Sequence, residues 1–387
     1  MTFFREYSSL LLLILLLFVA IKLNRYRWLP LYCAKRSFSL KKKQGNGLIH
    51  IIVCIVDHFE PANGNATLNT QRLRIDTWCE CYPRMAKQFR DSDGKVPQHT
   101  WFYPPHHQEA FLEDLVTLCK KGFGEIEMHM HHNRMNPFPE INDSFRVKLL
   151  KCVEDYSKYG IFCLPDGSKK FGFIHGDWSL DNARGEKFCG VNNEIQLLKE
   201  CGCYADFTFP TIEIAQPRMI NKMYYANDNP LKSKSYDVGN EIVVHGEVSG
   251  DLMIVQGILG LRWGSKRFFL KPTIETSNLD FNEEPTIART DFWVKNAIVV
   301  KGRPQWRFIK LHTHGAREET WDSLFGSSAE SMFNHLSQVY NDKERYSLHY
   351  VTAREMYNIV KAAEAGKEGN PNQFRDFIIP RYIYLEK

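Results

Sequence analysis

Apolar and polar positions divide the chain into a leading segment and a body. The leader carries an uninterrupted apolar run over 10–21 and then a basic stretch; the patterning of a folded body begins only after Gly45-Asn46-Gly47. Residues 48–56 are apolar throughout except for His50, as in a strand covered on both faces. The run stops at Asp57-His58-Phe59-Glu60-Pro61, polar and chelating residues where a buried strand ends. Helical spacing follows over 70–90, with an interruption expected at Pro83. Residues 98–103 read as a short strand, and 110–121 as a helix with Phe111, Leu112, Leu115 and Leu118 on its apolar side. The next strand, from Gly124, places Glu125, Glu127, His129 and His131 on one face and Ile126, Met128, Met130 and His132 on the other. Strand, helix, strand, helix, strand is the rhythm of a parallel α/β sheet or barrel.

Further along, 242–245, 252–256, 292–300 and 306–314 carry strand patterning, and Phe308, Lys310, His312 and His314 share a face of the last. A turn-rich excursion over 257–264 interrupts them, and 329–340 and 352–365 are spaced as helices. His349 reads as a structural residue, and His106 and His107 as a loop beside the site rather than as ligands.

Composition changes this picture little. Among 387 residues, 43% hydrophobic and 25% charged is ordinary for a globular protein, and 13% aromatic favours a well-packed body. The formal net charge of +5 is small, and much of it lies in the first 43 residues, which argues against a nucleic-acid partner. The apolar run over 10–21 predicts a single uncleaved membrane anchor. Basic residues beyond it place the body in the cytoplasm by the positive-inside rule, whereas a looped signal sequence would place it outside. The ten cysteines lack zinc-knuckle or redox spacing and read mostly as small buried residues. Asn65-Ala66-Thr67 and Asn142-Asp143-Ser144 match the glycosylation pattern, which is too common to place the protein.

The chemistry is concentrated in histidine. His129, His131 and His132 fall within four positions, and neutral imidazoles suit a borderline divalent ion, zinc first, with cobalt or nickel as alternatives. Aromatic residues Trp101, Tyr103 and Trp178 are candidates for an apolar wall against a sugar ring.

The order of Asp57 at the end of the first strand, Thr100-Trp101-Phe102-Tyr103, a helix, and Glu125-Ile126-x-x-His129 resembles the polysaccharide deacetylase family. Phe171-Gly172-Phe173-Ile174-His175-Gly176-Asp177-Trp178, the stretch 197–208, and Lys310-Leu311-His312 extend the likeness over about 48–315. The resemblance implies a distorted (β/α) barrel with an inserted β-rich segment at 211–286, the leader over 1–44 and the deacetylase-like domain over 45–387. It implies a metal-dependent hydrolase that removes N-acyl groups from a glycan. The alternative is an inactive, membrane-tethered glycan-binding protein on the same fold. The metal set on this reading is His58, His129 and His132 or His131; Asp57 is the base, His312 the acid, and Asp177 or Asp206 orients it. Substrate-binding residues are Trp178, His175, Trp101, Tyr103 and His314. Two departures from the family pattern are His58, where a second Asp is usual, and Asn133, where the second metal histidine is usual.

Overall fold

The computed structural model describes residues 26–39, 47–132, 139–263 and 272–385, the side chains of 35–39 excepted. The apolar run over 10–21 lies outside the described residues.

β1 (Ile49–His58) is buried at every position and is the axis of the main sheet. β11 (Trp306–Thr313) runs parallel along one edge, pairing His50 to Trp306 through Asp57 to Thr313. The other edge is shared: β12 (Tyr346–Val351) pairs with the first half of β1, and β2 (His99–Tyr103) with the second. Beyond β2 come β3 (Gly124–Met130), β4 (Phe171–His175), β5 (Cys203–Asp206) and β8 (Leu252–Val255), all parallel to their neighbours, and then β6 (Met223–Ala226) and β7 (Gly239–Glu241), antiparallel. The sheet is curled into a half-barrel, so the chain is α/β and barrel-like as the strand-helix rhythm predicts. The stretch 211–286 does not form a separate layer: β6, β7 and β8 continue the main sheet, and only β9 (Gly260–Trp263) and β10 (Pro272–Glu275) pair apart from it.

Helices cover the sheet. α1 (Trp28–Ser39) belongs to the leader, yet Trp28 is fully buried against Tyr32, Ile220 and Leu259, and Arg27 pairs with Asp237. α2 (Leu68–Ala86) starts at Thr67, whose hydroxyl accepts from Thr70 N, and runs through Pro83 to Ala86. Pro83 lies inside it and offers no N–H to the carbonyl of Cys79, and the helix ends three residues later at Ala86 rather than running to 90. α3 (Phe111–Lys120), α4 (Asn142–Ser157) and α5 (Glu194–Glu200) follow their strands. The expected strand over 292–300 is instead mostly α6 (Ile287–Asn296): Thr286 caps it by accepting from Arg289 N, and the helical spacing brings Arg289 and Trp293 together onto buried Glu275. α7 (Trp321–Phe325), α8 (Ser327–Val339) and α9 (Ala353–Glu364) complete the body, α9 opening on a Thr352/Glu355 capping box.

Candidate functional site

Parallel strands bring the carboxyl ends of β1, β3, β4 and β11 to one edge of the sheet, the edge that carries function in α/β folds. His58 closes β1 and Glu60 lies two residues beyond. Arg74 of α2 fixes this turn, donating to the carbonyls of Pro61 and Asn63 while its other edge grips Glu318. From the same helix, Trp78 Nε1 donates to Gly315 O, which holds the loop after β11.

Seven imidazoles gather around this turn, His106 and His107 of the loop after β2 standing on its far side within reach of Glu60. His58 stacks on His314 with ring centres 4.8 Å apart and meets His129 edge-on at 4.9 Å; His129 meets His131 edge-on at 4.8 Å. His312 stands one residue pair further back on β11, in register with Val56. His129 Nδ1 donates to Ile174 O, which leaves Nε2 as a lone pair 3.9 Å from Glu60 Oε1. His131 Nδ1 donates to Asp177 Oδ2 at 2.9 Å, and its Nε2 lies 3.0 Å from Glu60 Oε1. Asp177 and Trp178 reach these positions through positive φ angles of 56° and 51°, a strained corner of the kind stored at functional sites. Glu60, His129 and His131 offer three ligand atoms within 4.8 Å of one another.

His58 Nε2, His129 Nε2 and His314 Nδ1 are buried and without a hydrogen-bond partner. Each such atom costs about 1–3 kcal/mol, and together they approach the total stability of a domain. Burial drives His58 well below the usual imidazole range, aided by the neighbouring His314, His129, His312 and His131. His129 falls to about 3, again by burial and then by His131. His131 is the exception: burial pulls it down, but the carboxylates of Asp177 and Glu60 raise it to about 9. Burial alone would raise Glu60, and His131 and His129 hold it below the carboxylate range instead. Neutral imidazoles with free lone pairs, one imidazole braced by a carboxylate, and an ionised Glu form a donor set that fits a divalent ion.

The other expected site residues are distributed differently. Asp57, expected to be the base, points to the opposite side of β1 from His58, is fully buried, and has both oxygens engaged, Oδ2 by His99 Nε2 at 2.8 Å and Oδ1 by Gly315 N at 2.7 Å. His132, expected as a ligand beside His129, turns away and meets Glu194 at 2.8 Å, because consecutive residues of an extended chain face opposite ways. His175, expected at the substrate, is fully buried and stacks on His132. Trp101 is an interior ring packed on Trp78, Tyr82 and His99, not a wall of the mouth. Tyr103 spends its hydroxyl on Gln108 O and faces a small recess with Pro105 and His107. Trp178 is half-buried beside His58 and His314. Asp206 is bound by Thr208 and sits near Lys310, whose ammonium donates to the carbonyls of Phe207 and Phe209; burial raises the first and lowers the second. Asn133 lies outside the described residues. Glu60 was visible in the sequence only as a polar residue beyond Asp57-His58, and no spacing tied it to His129 and His131.

No family model and no curated protein matches the chain. Among solved structures it is similar to a GH57 branching enzyme from the hyperthermophilic archaeon Thermococcus kodakaraensis in complex with glucose and additives, at 9% identity and a TM-score of 0.35, over 79% of this chain and 73% of that one. The expected membership of the polysaccharide deacetylases is therefore withdrawn: no model of any family matches the chain. The N-acyl hydrolase reading and its inactive, membrane-tethered alternative fall with it. Among the described residues no helix is long and apolar enough to cross a membrane, and the run over 10–21, where the anchor was expected, lies outside them.

Proposed function

We propose that the chain is a metal-dependent enzyme that hydrolyses a bond carried by a polyhydroxylated, carbohydrate-like substrate, with the ion held by His58, His129, His131 and Glu60. The observation that carries this reading is the set of buried, partnerless imidazole nitrogens around an ionised glutamate. A divalent ion there would polarise the scissile group and lower the pKa of water. The protein's own contributions are separable. Asp177 orients His131 and sharpens its basicity through the Nδ1 hydrogen bond. His314, stacked on His58 with an unpartnered Nδ1, takes a proton from the attacking water. Trp178 presents an apolar face to a sugar ring at the half-exposed rim, next to Asp177.

The test is to strip the full-length chain with chelator, reconstitute it with zinc, cobalt or nickel, and assay it on O-acylated sugars, sugar phosphates and linked oligosaccharides. Activity that vanishes on stripping and returns with metal, and that is absent from His129→Ala, is expected. Equal hydrolysis by stripped and reconstituted protein would overturn the reading.

A further inference from the structure

A second group of metal-ligating side chains lies behind the first, and the proposed function does not use it. His132, at the end of the β3 segment, His175, the last residue of β4, Cys189, in the loop before α5, and Glu194, the first residue of α5, are all buried, and each offers a ligand atom within 4.8 Å of the others. Their mutual contacts are specific. Glu194 Oε1 is 2.8 Å from His132 Nε2 and 3.4 Å from His175 Nε2; Cys189 Sγ is 3.6 Å from Glu194 Oε2 and 3.8 Å from His132 Nδ1. The His132 and His175 rings stack at 4.6 Å, which brings two imidazoles to one carboxylate.

Charge is what this group lacks. Glu194 is fully buried, yet its ion-pair contacts are with the two histidines alone, and no lysine or arginine pairs with it among the described residues. Both histidines are held neutral, chiefly by burial, at about 3 and about 4. Burial raises the Glu194 carboxyl above its ordinary range even though Asp181 N donates to it, so its ionised form lacks a cation, and His175 Nε2, also fully buried, has no hydrogen-bond partner. A cation at the centre removes both costs. One thiolate, two imidazoles and one carboxylate make a closed, four-ligand set without room for substrate, which is the composition of a structural rather than a catalytic zinc site. Contraction by roughly an ångström would bring the four atoms to tetrahedral zinc distances of about 2.0–2.3 Å.

We infer that His132, His175, Cys189 and Glu194 bind a structural zinc ion that ties the end of β3, the end of β4 and the 176–194 loop into one unit. Its consequence for the mouth is geometric. His131 and His132 are neighbours on opposite faces of the chain, so anchoring His132 sets the direction of His131, while the β4 anchor His175 is followed directly by Gly176 and Asp177, which pack on and brace His131.

Cobalt substitution of the full chain tests this directly, because sulfur ligation produces a near-ultraviolet thiolate-to-cobalt band that an imidazole and carboxylate site cannot give. The band is expected in the wild type and in His129→Ala, and it is expected to disappear in Cys189→Ser together with one equivalent of bound metal. A folded, cobalt-loaded wild type without the band overturns the inference, whatever the variants do. So does a folded Cys189→Ser that keeps it. If Cys189→Ser does not fold, Glu194→Gln supplies the comparison, with one equivalent less zinc by elemental analysis expected and an unchanged count contrary to it. Loss of metal from His129→Ala alone bears only on the site at the mouth, so the two sites are read separately.

Discussion

At the scale of single residues, the corner after β4 decides the geometry of the mouth. Gly176 has no side chain because none fits: a Cβ there would lie 2.3–2.4 Å from atoms of the His131 ring. Gly176→Ala is therefore expected to push His131 off Glu60 and weaken metal binding, with folding largely kept, as read by competitive chelator titration. Asp177 acts on the same ring by a hydrogen bond rather than by bulk. Asp177→Asn keeps the shape but loses the charge that braces His131, and a fall in metal affinity of about 10–100-fold is expected. Unchanged affinity in both variants would remove His131 from the ligand set.

At the scale of elements, the strand that supplies the histidines is fastened at its other end by ions. Glu125, near the start of β3, accepts from Arg354 of α9 at 2.7 Å and from Thr352 Oγ1 at 2.6 Å, and all three are buried. Arg354 also reaches Asp376 and the carbonyl of Ile379, so one guanidinium joins β3, α9 and the C-terminal segment. Arg354→Leu strands the Glu125 carboxylate and is expected to cost about 3–5 kcal/mol, seen as a lower denaturant midpoint at unchanged slope. Adding Glu125→Leu to that variant is expected to restore much of the loss, since the penalty lies in the unpaired charge. A double variant no better than the single would assign the cost to packing instead.

At the scale of the whole molecule, two features set its limits. The leader helix α1 is part of the folded body: Trp28 fills a small apolar cluster with Ile220 and Leu259, and Arg27 grips Asp237 and Gln216 O. Removing residues 1–44 is expected to lower the melting temperature relative to removing 1–25, because the longer deletion uncovers that cluster. Equal melting temperatures would show that α1 contributes nothing to stability. The second feature is acid sensitivity. His50 faces His349, which in turn binds Asp93 and Ser347, and burial first, then His349, lowers its pKa from 6.5 to about 4. Between these two values the unfolded chain binds a proton that the folded chain refuses. This contribution is therefore fully present above pH 6.5 and is lost as the pH falls toward 4. His50→Gln is expected to flatten the decline of stability across that window relative to wild type, in paired thermal melts; identical slopes would place the sensitivity in other histidines.

Much of the frame was decided by local pattern. The run before Asp57, apolar but for His50, could bury only as an interior strand, the alternation in 124–130 set which side chains share each face of a strand buried on both, and the i, i+3, i+4 spacing of 110–121 and 352–365 left helices as the favoured solution. These are short-range consequences of side-chain period, so the strand-helix rhythm and the barrel-like sheet were legible. Where local signals conflict, tertiary contact decided: 292–300 has a strand-like composition, but the Thr286 cap and the buried Glu275 draw Arg289 and Trp293 into a helix. The site divided in the same way. The sequence showed that histidines cluster at a strand end and that alternation parts His131 from His132, but not that Glu60 meets the one and Glu194 the other, nor that Asp57 is taken up by His99 and Gly315. Glu60, Cys189 and Glu194 carry no mark of their own in the chain. What makes each of them significant is a partner 57 to 71 positions away in the sequence, for which the examples are His132 from Cys189 and His131 from Glu60, and only the closing of the sheet brings those partners within reach.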